Sequence, residues 1–385
     1  LSDIRRNYSS SRKDPDDRAG PAGTGSDRLT LYQKNWFDSL TEAQQKFATE
    51  KRGKTFVYKF LFKKGAHLFI IGTSGSGKTQ KGYWLVRWIK TTKEIVIWLD
   101  SAKNREMVPL LAMGMPVRII CPKGCDVEFT EWNDDEHKYT RMKNHPEVVQ
   151  VPDAGSAWWA VKRGMINIFC FRNAFEDPAE RGKWMAELFE TLSTWTRKQR
   201  MPKIYPFCLF GDEAHWFNAG QKITSNSERN LLSELITEHA LEIRAYGGRL
   251  VLFAQGFKNL PPATRENLPN NLLCRGAKIS AEENNTLSIF NDRTSRYRPE
   301  EGLFVFDGGF TYPDGWPWPF PFFPMPKIKV SYLGEFDARS PAAMAEQEIE
   351  QELIPDLNKY QGLIQDLEGY EIPHDINRYG VIPID

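Results

Sequence analysis

The chain has 385 residues, with 51 Lys plus Arg against 50 Asp plus Glu and a formal charge of +1. That balance excludes a globally basic nucleic-acid binder, so any DNA site must be a local patch. A hydrophobic share of 41% with 13% aromatics excludes a disordered chain, and no apolar run approaches the ~18 residues that a membrane helix needs.

Residues 1–28 are rich in Ser, Gly, Arg and Asp and read as a flexible arm, because they bury too little to offset their ordering entropy. From Leu29 the pattern turns globular. The segments 67–71 (HLFII), 94–99 (EIVIWL), 117–121 (VRIIC), 165–171 (MINIFCF), 206–211 (PFCLFG), 249–254 (RLVLFA) and 272–279 (LLCRGAKI) are short, nearly continuous apolar runs. Such runs suit strands covered on both faces, as in a parallel sheet. Helical stretches separate several of them, at 79–90, at 178–200 and at 227–246, the last from a Ser227 N-cap to a stop before Gly247 and Gly248. Strand and helix in alternation predict an α/β fold.

The stretch 122–163 breaks this rhythm and reads as a polar insertion of unassigned structure. Cys121 and Cys125, in CPKGC, have the beginning of a zinc spacing with His137, but no second Cys or His pair completes it. Cys170 and Cys208, inside apolar runs, read as buried free thiols, and five sparse cysteines fit a reducing compartment. Residues 311–326 (TYPDGWPWPFPFFPMP) hold six of the 24 prolines, interleaved with Trp and Phe. Proline fixes φ and removes a donor, so this segment is extended, neither helix nor inner strand. Its aromatics are expected to pack on their own domain or on a neighbour. Residues 341–370 are acidic and helix-prone, broken near Pro355.

The strongest signal is Gly72-Thr73-Ser74-Gly75-Ser76-Gly77-Lys78-Thr79, which fits G-x-x-x-x-G-K-[ST]. Average residue usage gives such a match by chance on the order of 2% of the time in a chain this long. The glycines let backbone N–H groups curl around phosphate oxygens, and the following helix N-terminus favours an anion. Lys78 is the candidate for the β- and γ-phosphates of a nucleoside triphosphate, and the Thr79 hydroxyl for Mg²⁺. Asp212 and Glu213 follow the apolar run 206–211. Asp212 at a strand's C-terminal end suits the Mg²⁺, and Glu213 beside it suits a general base acting on water. Gln255 closes the run 249–254 and can contact the γ-phosphate or its water. Arg244 precedes that run and suits a neighbouring subunit's nucleotide, since its guanidinium is always charged.

Taken together, GTSGSGKT (72–79), CLFGDEAHWF (208–217) and IRAYGGRLVLFAQGFKNLP (243–261) resemble the ring ATPases of the FtsK/HerA family over roughly residues 60–280. That family includes DNA translocases, conjugative coupling proteins and viral genome-packaging ATPases. The resemblance implies a RecA-like phosphate-loop core over 29–310, with a mostly parallel sheet flanked by helices and N- and C-terminal extensions. It also implies ATP and Mg²⁺, a homo-oligomeric, hexameric ring, and movement of double-stranded DNA through its pore. Carried over, Lys78 and Thr79 bind phosphate and Mg²⁺, Asp212 and Glu213 coordinate and catalyse, Gln255 senses, and Arg244 acts in trans. No winged helix or N-terminal barrel is visible, so a compact viral or mobile-element motor is the expectation, cytoplasmic or virion-associated. An anchor upstream of Leu1 stays open, as does a protein partner for the arm or for 311–385. Two other functions stay open as well: an ATPase powering protein secretion or assembly, and a nucleotide switch with little turnover. DNA transport would need pore cations, for which Lys103, Arg105, Lys222 and Lys258 are candidates.

Overall fold

The computed structural model describes residues 31–334, apart from 64, 100–106, 144, 172–174, 176–177, 198–205, 215–236, 239–241, 308 and 310–316. The N-terminal arm, the acidic stretch 341–370 and most of the expected helix 227–246 lie outside the described residues. The chain divides into two units between Asp38 and Ser39. Helix α1 (Leu31–Asp38) falls in the first, and all that follows concerns the second.

The second unit is built on a ten-stranded sheet in the order β12-β11-β10-β1-β9-β8-β2-β7-β3-β6. Its strands are β1 (Leu68–Ile71), β2 (Ile95–Leu99), β3 (Val117–Pro122), β6 (Glu147–Val151), β7 (Ile166–Phe169), β8 (Phe207–Gly211), β9 (Arg249–Ala254), β10 (Asn270–Cys274), β11 (Glu301–Val305) and β12 (Trp318–Pro319). The run from β10 to β6 is parallel throughout, and β11 and β12 close one edge antiparallel. β1, β2, β7, β8 and β9 are buried at every position, as the unbroken apolar runs require when both faces are covered.

β10 departs from the expected 272–279 at both ends. It starts earlier because two polar residues are satisfied inside: Asn270 Nδ2 donates to His67 O at 2.8 Å, and Asn270 Oδ1 accepts from the Asp307 N–H at 3.2 Å. It stops earlier because Gly276 takes φ +68° and turns the chain. The stretch 122–163 is an ordered part of the fold rather than a bare insertion. It forms β4 (Cys125–Asn133) and β5 (Lys138–Arg141), which pair with β13 (Ile328–Gly334) in a small antiparallel sheet, then β6 at the edge of the main sheet.

The core does not stop at residue 310. Helix α2 (Glu42–Thr49), opened by a Thr41–Gln44 capping box, and helix α3 (Lys51–Phe56), continued by a π-turn over Val57–Leu61, bring Phe47 and Phe56 against helix α4 (Lys78–Thr91). There they meet Trp84, Trp88 and Trp318, with ring centroids 4.6 Å apart for Phe47–Trp318 and 5.1 Å for Phe56–Trp84. Residues 317–326 of the proline-rich segment run along α4 as a strap, and 311–316 lie outside the described residues. Gln80 holds the Phe323 backbone at both its N–H (2.6 Å) and its carbonyl (3.2 Å), and Phe320 lies 5.2 Å from Trp84. The opposite side of α4 meets the sheet at Gly82, where a Cβ would sit 2.6 Å from the Phe253 ring. α4 is thus enclosed on both sides.

Candidate functional site

β1 delivers the chain to residue 72 and α4 takes it up at Lys78, so residues 72–77 bridge strand and helix at the C-terminal end of the sheet. Neighbouring strand ends fix this loop: the Gly72 N–H donates to Ala254 O at 3.3 Å and the Thr73 N–H to Arg275 O at 3.2 Å. Gly75 and Gly77 sit at φ +71° and +73°, in the left-handed region that glycine tolerates. A Cβ at Gly75 would meet only open space, whereas one at Gly77 would overlap the Pro299 carbonyl oxygen. Gly77, at the N-cap of α4, has no side chain with which to take up the helix's first amides. Lys78 folds back over the loop, donating to Gly72 O at 2.8 Å and Thr73 O at 3.0 Å. The Ser76 hydroxyl is buried, 1% exposed, with no hydrogen-bond partner among the described residues. Left-handed glycines, an uncapped helix start and an orphaned hydroxyl in one loop fit a phosphate group.

β8 ends beside this loop. Asp212 is buried, and its Oδ2 accepts a hydrogen bond from the Thr79 hydroxyl at 3.0 Å. Its Oδ1 accepts from the Glu213 N–H at 2.8 Å. Glu213 stands at φ +48°, a conformation that costs a non-glycine residue roughly 1–2 kcal/mol. β9 lies between β1 and β8, so Gln255 at its tip falls between the loop and the carboxylates. Gln255 Nε2 donates to Glu213 Oε1 at 3.4 Å. Thr79 and Asp212 offer hard oxygen donors facing one another, which suits Mg²⁺.

Not every expected residue joins this group. Arg244 is exposed and lies before the start of β9, at the end of the sheet opposite Gln255. The helix carrying it ends in a Schellman turn, with the Gly248 N–H on Ile243 O at 2.8 Å and the Gly247 N–H on Arg244 O at 3.1 Å. Lys258 is exposed and pairs with Glu283 at 3.6 Å. Lys103, Arg105 and Lys222 lie outside the described residues. At CPKGC, the Cys121 thiol donates to Cys125 O at 3.3 Å, and burial pushes its pKa up to about 12. Zinc takes cysteine as thiolate, so this environment opposes it. Among the described residues no group of three His, Cys, Asp or Glu is arranged to hold a metal.

Sequence reasoning passed over Lys81. It is fully buried one turn into α4, with Nζ on Pro299 O at 2.6 Å, Ser76 O at 3.1 Å and Gly77 O at 3.4 Å. Burial lowers its pKa, which Cys274 and the carboxylates of Glu300 and Glu301 oppose. A signal was present: Lys81 shares a helical stripe with Trp84 and Trp88, where a lysine is out of place.

Loop, helix and carboxylate-bearing strand define an α/β protein with a glycine-rich strand-to-helix loop at its sheet's C-terminal edge. No protein-family model matches the chain, and no curated protein does. Among solved structures it is similar to the genome packaging NTPase B204 from Sulfolobus turreted icosahedral virus 2 in complex with ATP-gammaS, at 13% identity, covering 67% of this chain and 97% of that one, with a TM-score of 0.37. It is also similar to VirB4 of Thermoanaerobacter pseudethanolicus, at 12% identity, 67% and 90% coverage and a TM-score of 0.41. A third is EccC (ATPases 2 and 3) of Thermomonospora curvata in complex with a signal sequence peptide, at 14% identity, 68% and 39% coverage and a TM-score of 0.34. Among the described residues no helix is long and apolar enough to cross a membrane.

Proposed function

We propose that this chain is an ATP-hydrolysing ring motor that translocates or packages double-stranded DNA. The observation that carries the hydrolytic part is the convergence of Thr79 on Asp212 at 3.0 Å and of Gln255 on Glu213 at 3.4 Å beside the loop. Bound Mg²⁺ would neutralise charge on the phosphate oxygens, held by Thr79 and Asp212. Lys78 exchanges its two loop carbonyls for phosphate oxygens. Glu213 orients a water and accepts its proton, while Gln255, already on the Glu213 carboxylate, reports whether that position is engaged. The DNA part rests on the order of the three motifs in their resemblance to FtsK/HerA ATPases.

The test is ATP turnover with and without linear duplex DNA at low salt, where phosphate contacts are strongest. Duplex should raise turnover several-fold. Glu213→Gln should bind ATP and lose hydrolysis by about 10²–10⁴-fold, the usual reach of a general base. Turnover indifferent to DNA but stimulated by a protein substrate would move the assignment to a secretion or assembly ATPase. A fully functional Glu213→Gln variant would make it a nucleotide switch.

A further inference from the structure

Lys81 has no role in the phosphate-loop motif, and a buried lysine is costly unless something holds it. Three carbonyls do, and no carboxylate forms an ion pair with it among the described residues. Two of those carbonyls, Ser76 O and Gly77 O, belong to the loop itself. In a trans peptide the carbonyl of one residue points opposite to the N–H of the next. Drawing Ser76 O inward onto Nζ therefore turns the Gly77 N–H outward, to the side away from the ammonium, and Gly77 O, which also accepts the Lys81 N–H at 3.2 Å as the first main-chain bond of α4, turns the Lys78 N–H the same way. The third carbonyl, Pro299 O, is the shortest contact at 2.6 Å and anchors this arrangement to the segment before β11. Lys81 Nζ also lies over the Phe320 ring of the strap, 5.4 Å from its centroid.

We infer that Lys81 is a positioning residue, which sets the backbone donors of the phosphate loop toward the β-phosphate of a bound nucleotide by holding the loop's carbonyls from beneath. The inference rests on the reading of residues 72–79 as a nucleotide phosphate site. It separates Lys81 from Lys78: Lys78 touches phosphate, and Lys81 acts only through the loop.

Calorimetric titration of the full chain with ADP and with AMP tests it. AMP lacks the β-phosphate that the oriented donors serve, so the ratio of the two affinities isolates the loop's contribution. Lys81→Met should weaken ADP roughly tenfold or more while leaving AMP within about twofold, collapsing the ratio. Should Lys81→Met fail to fold, Lys81→Gln is read in the same way. Its amide keeps two donors without the charge, and a partial fall in the ratio is expected. An equal loss for ADP and AMP, or no loss for either, overturns the inference and leaves Lys81 a packing residue. If Lys78→Ala lowers ADP affinity while the Lys81 variants keep the wild-type ratio, Lys81 alone is refuted. Wild-type protein that binds neither ADP nor ATP removes the phosphate-site reading, and this inference with it.

Discussion

Arg249 is fully buried at the start of β9, and all five of its donors are used. Nε and Nη2 reach the two oxygens of Glu94 at 3.0 and 2.8 Å, Nη1 donates to Phe60 O and Ala66 O, and Nη2 also to Leu61 O. Burial works against the charge, and Glu94 beside it outweighs that and holds the guanidinium protonated. The carbonyls of Phe60 and Leu61 come from the π-turn, so this one side chain fastens the entry to β1 onto the base of β9. Breaking such a pair from one side leaves a charge buried alone, which costs ~3–5 kcal/mol. Arg249→Met should therefore lower stability by about that amount in urea unfolding, and adding Glu94→Gln should recover part of it. Additive single effects would mean that the two residues act independently. Arg249 and Lys81 were both passed over for the same reason: a basic residue beside an apolar run reads as solvated, and groups far along the chain, Glu94 and the carbonyls of Phe60, Leu61 and Ala66 for Arg249 and Pro299 O for Lys81, complete the shell that makes burial possible. The positions of Asp212 and Glu213 were legible because a continuous apolar run delivers them to the end of a buried strand, β8, beside Thr79.

The strands β1, β2, β7, β8 and β9 were legible as elements because continuous apolar runs have one stable setting, the interior of a parallel sheet. β4 and β5 were not, because their alternating polar residues need a partner from far along the chain, and that partner is β13. The proline-rich strap is the same problem in sharper form. Its prolines forgo most ladder hydrogen bonds, so buried side chains carry much of its docking beside a few backbone bonds such as the Phe320 N–H on Glu300 O at 2.8 Å: Trp318, Phe320 and Phe323 are buried while Phe322 is 64% exposed. β12 is an edge strand of two residues, a place that tolerates proline. Because the strap covers the helix that starts at the loop, Phe320→Ala should act at two levels. It should cost ~3–5 kcal/mol in unfolding experiments, as large-to-small core changes do. It should also weaken ADP binding in the folded protein, through Lys81 beneath the ring. A loss of stability with unchanged ADP affinity would confine the strap to packing.

For the whole molecule, near-neutral charge and the position of Arg244 bear on the proposed ring motor. A motor that threads DNA needs cations only along its pore, so a net charge of +1 is compatible with segregated charge. Arg244 lies before the first residue of β9 and Gln255 after its last, with six residues between Arg249 and Ala254. At ~3.3 Å per residue that strand spans about 20 Å, more than an arginine side chain can reach back across. If Arg244 serves hydrolysis, it serves another copy's nucleotide, and a head-to-tail ring brings those two ends together. Two inactive variants should then complement each other. A Lys78→Ala chain has a disabled loop and an intact Arg244, and an Arg244→Ala chain has the reverse. Each alone should hydrolyse ATP at a small fraction of the wild-type rate. Mixed in equal amounts and co-assembled at random, they should restore activity at roughly a quarter of the interfaces, those pairing an intact loop with an intact arginine. Chains that demonstrably co-assemble yet recover nothing over the separate variants would exclude action in trans. An Arg244→Ala chain with wild-type turnover would remove Arg244 from hydrolysis altogether.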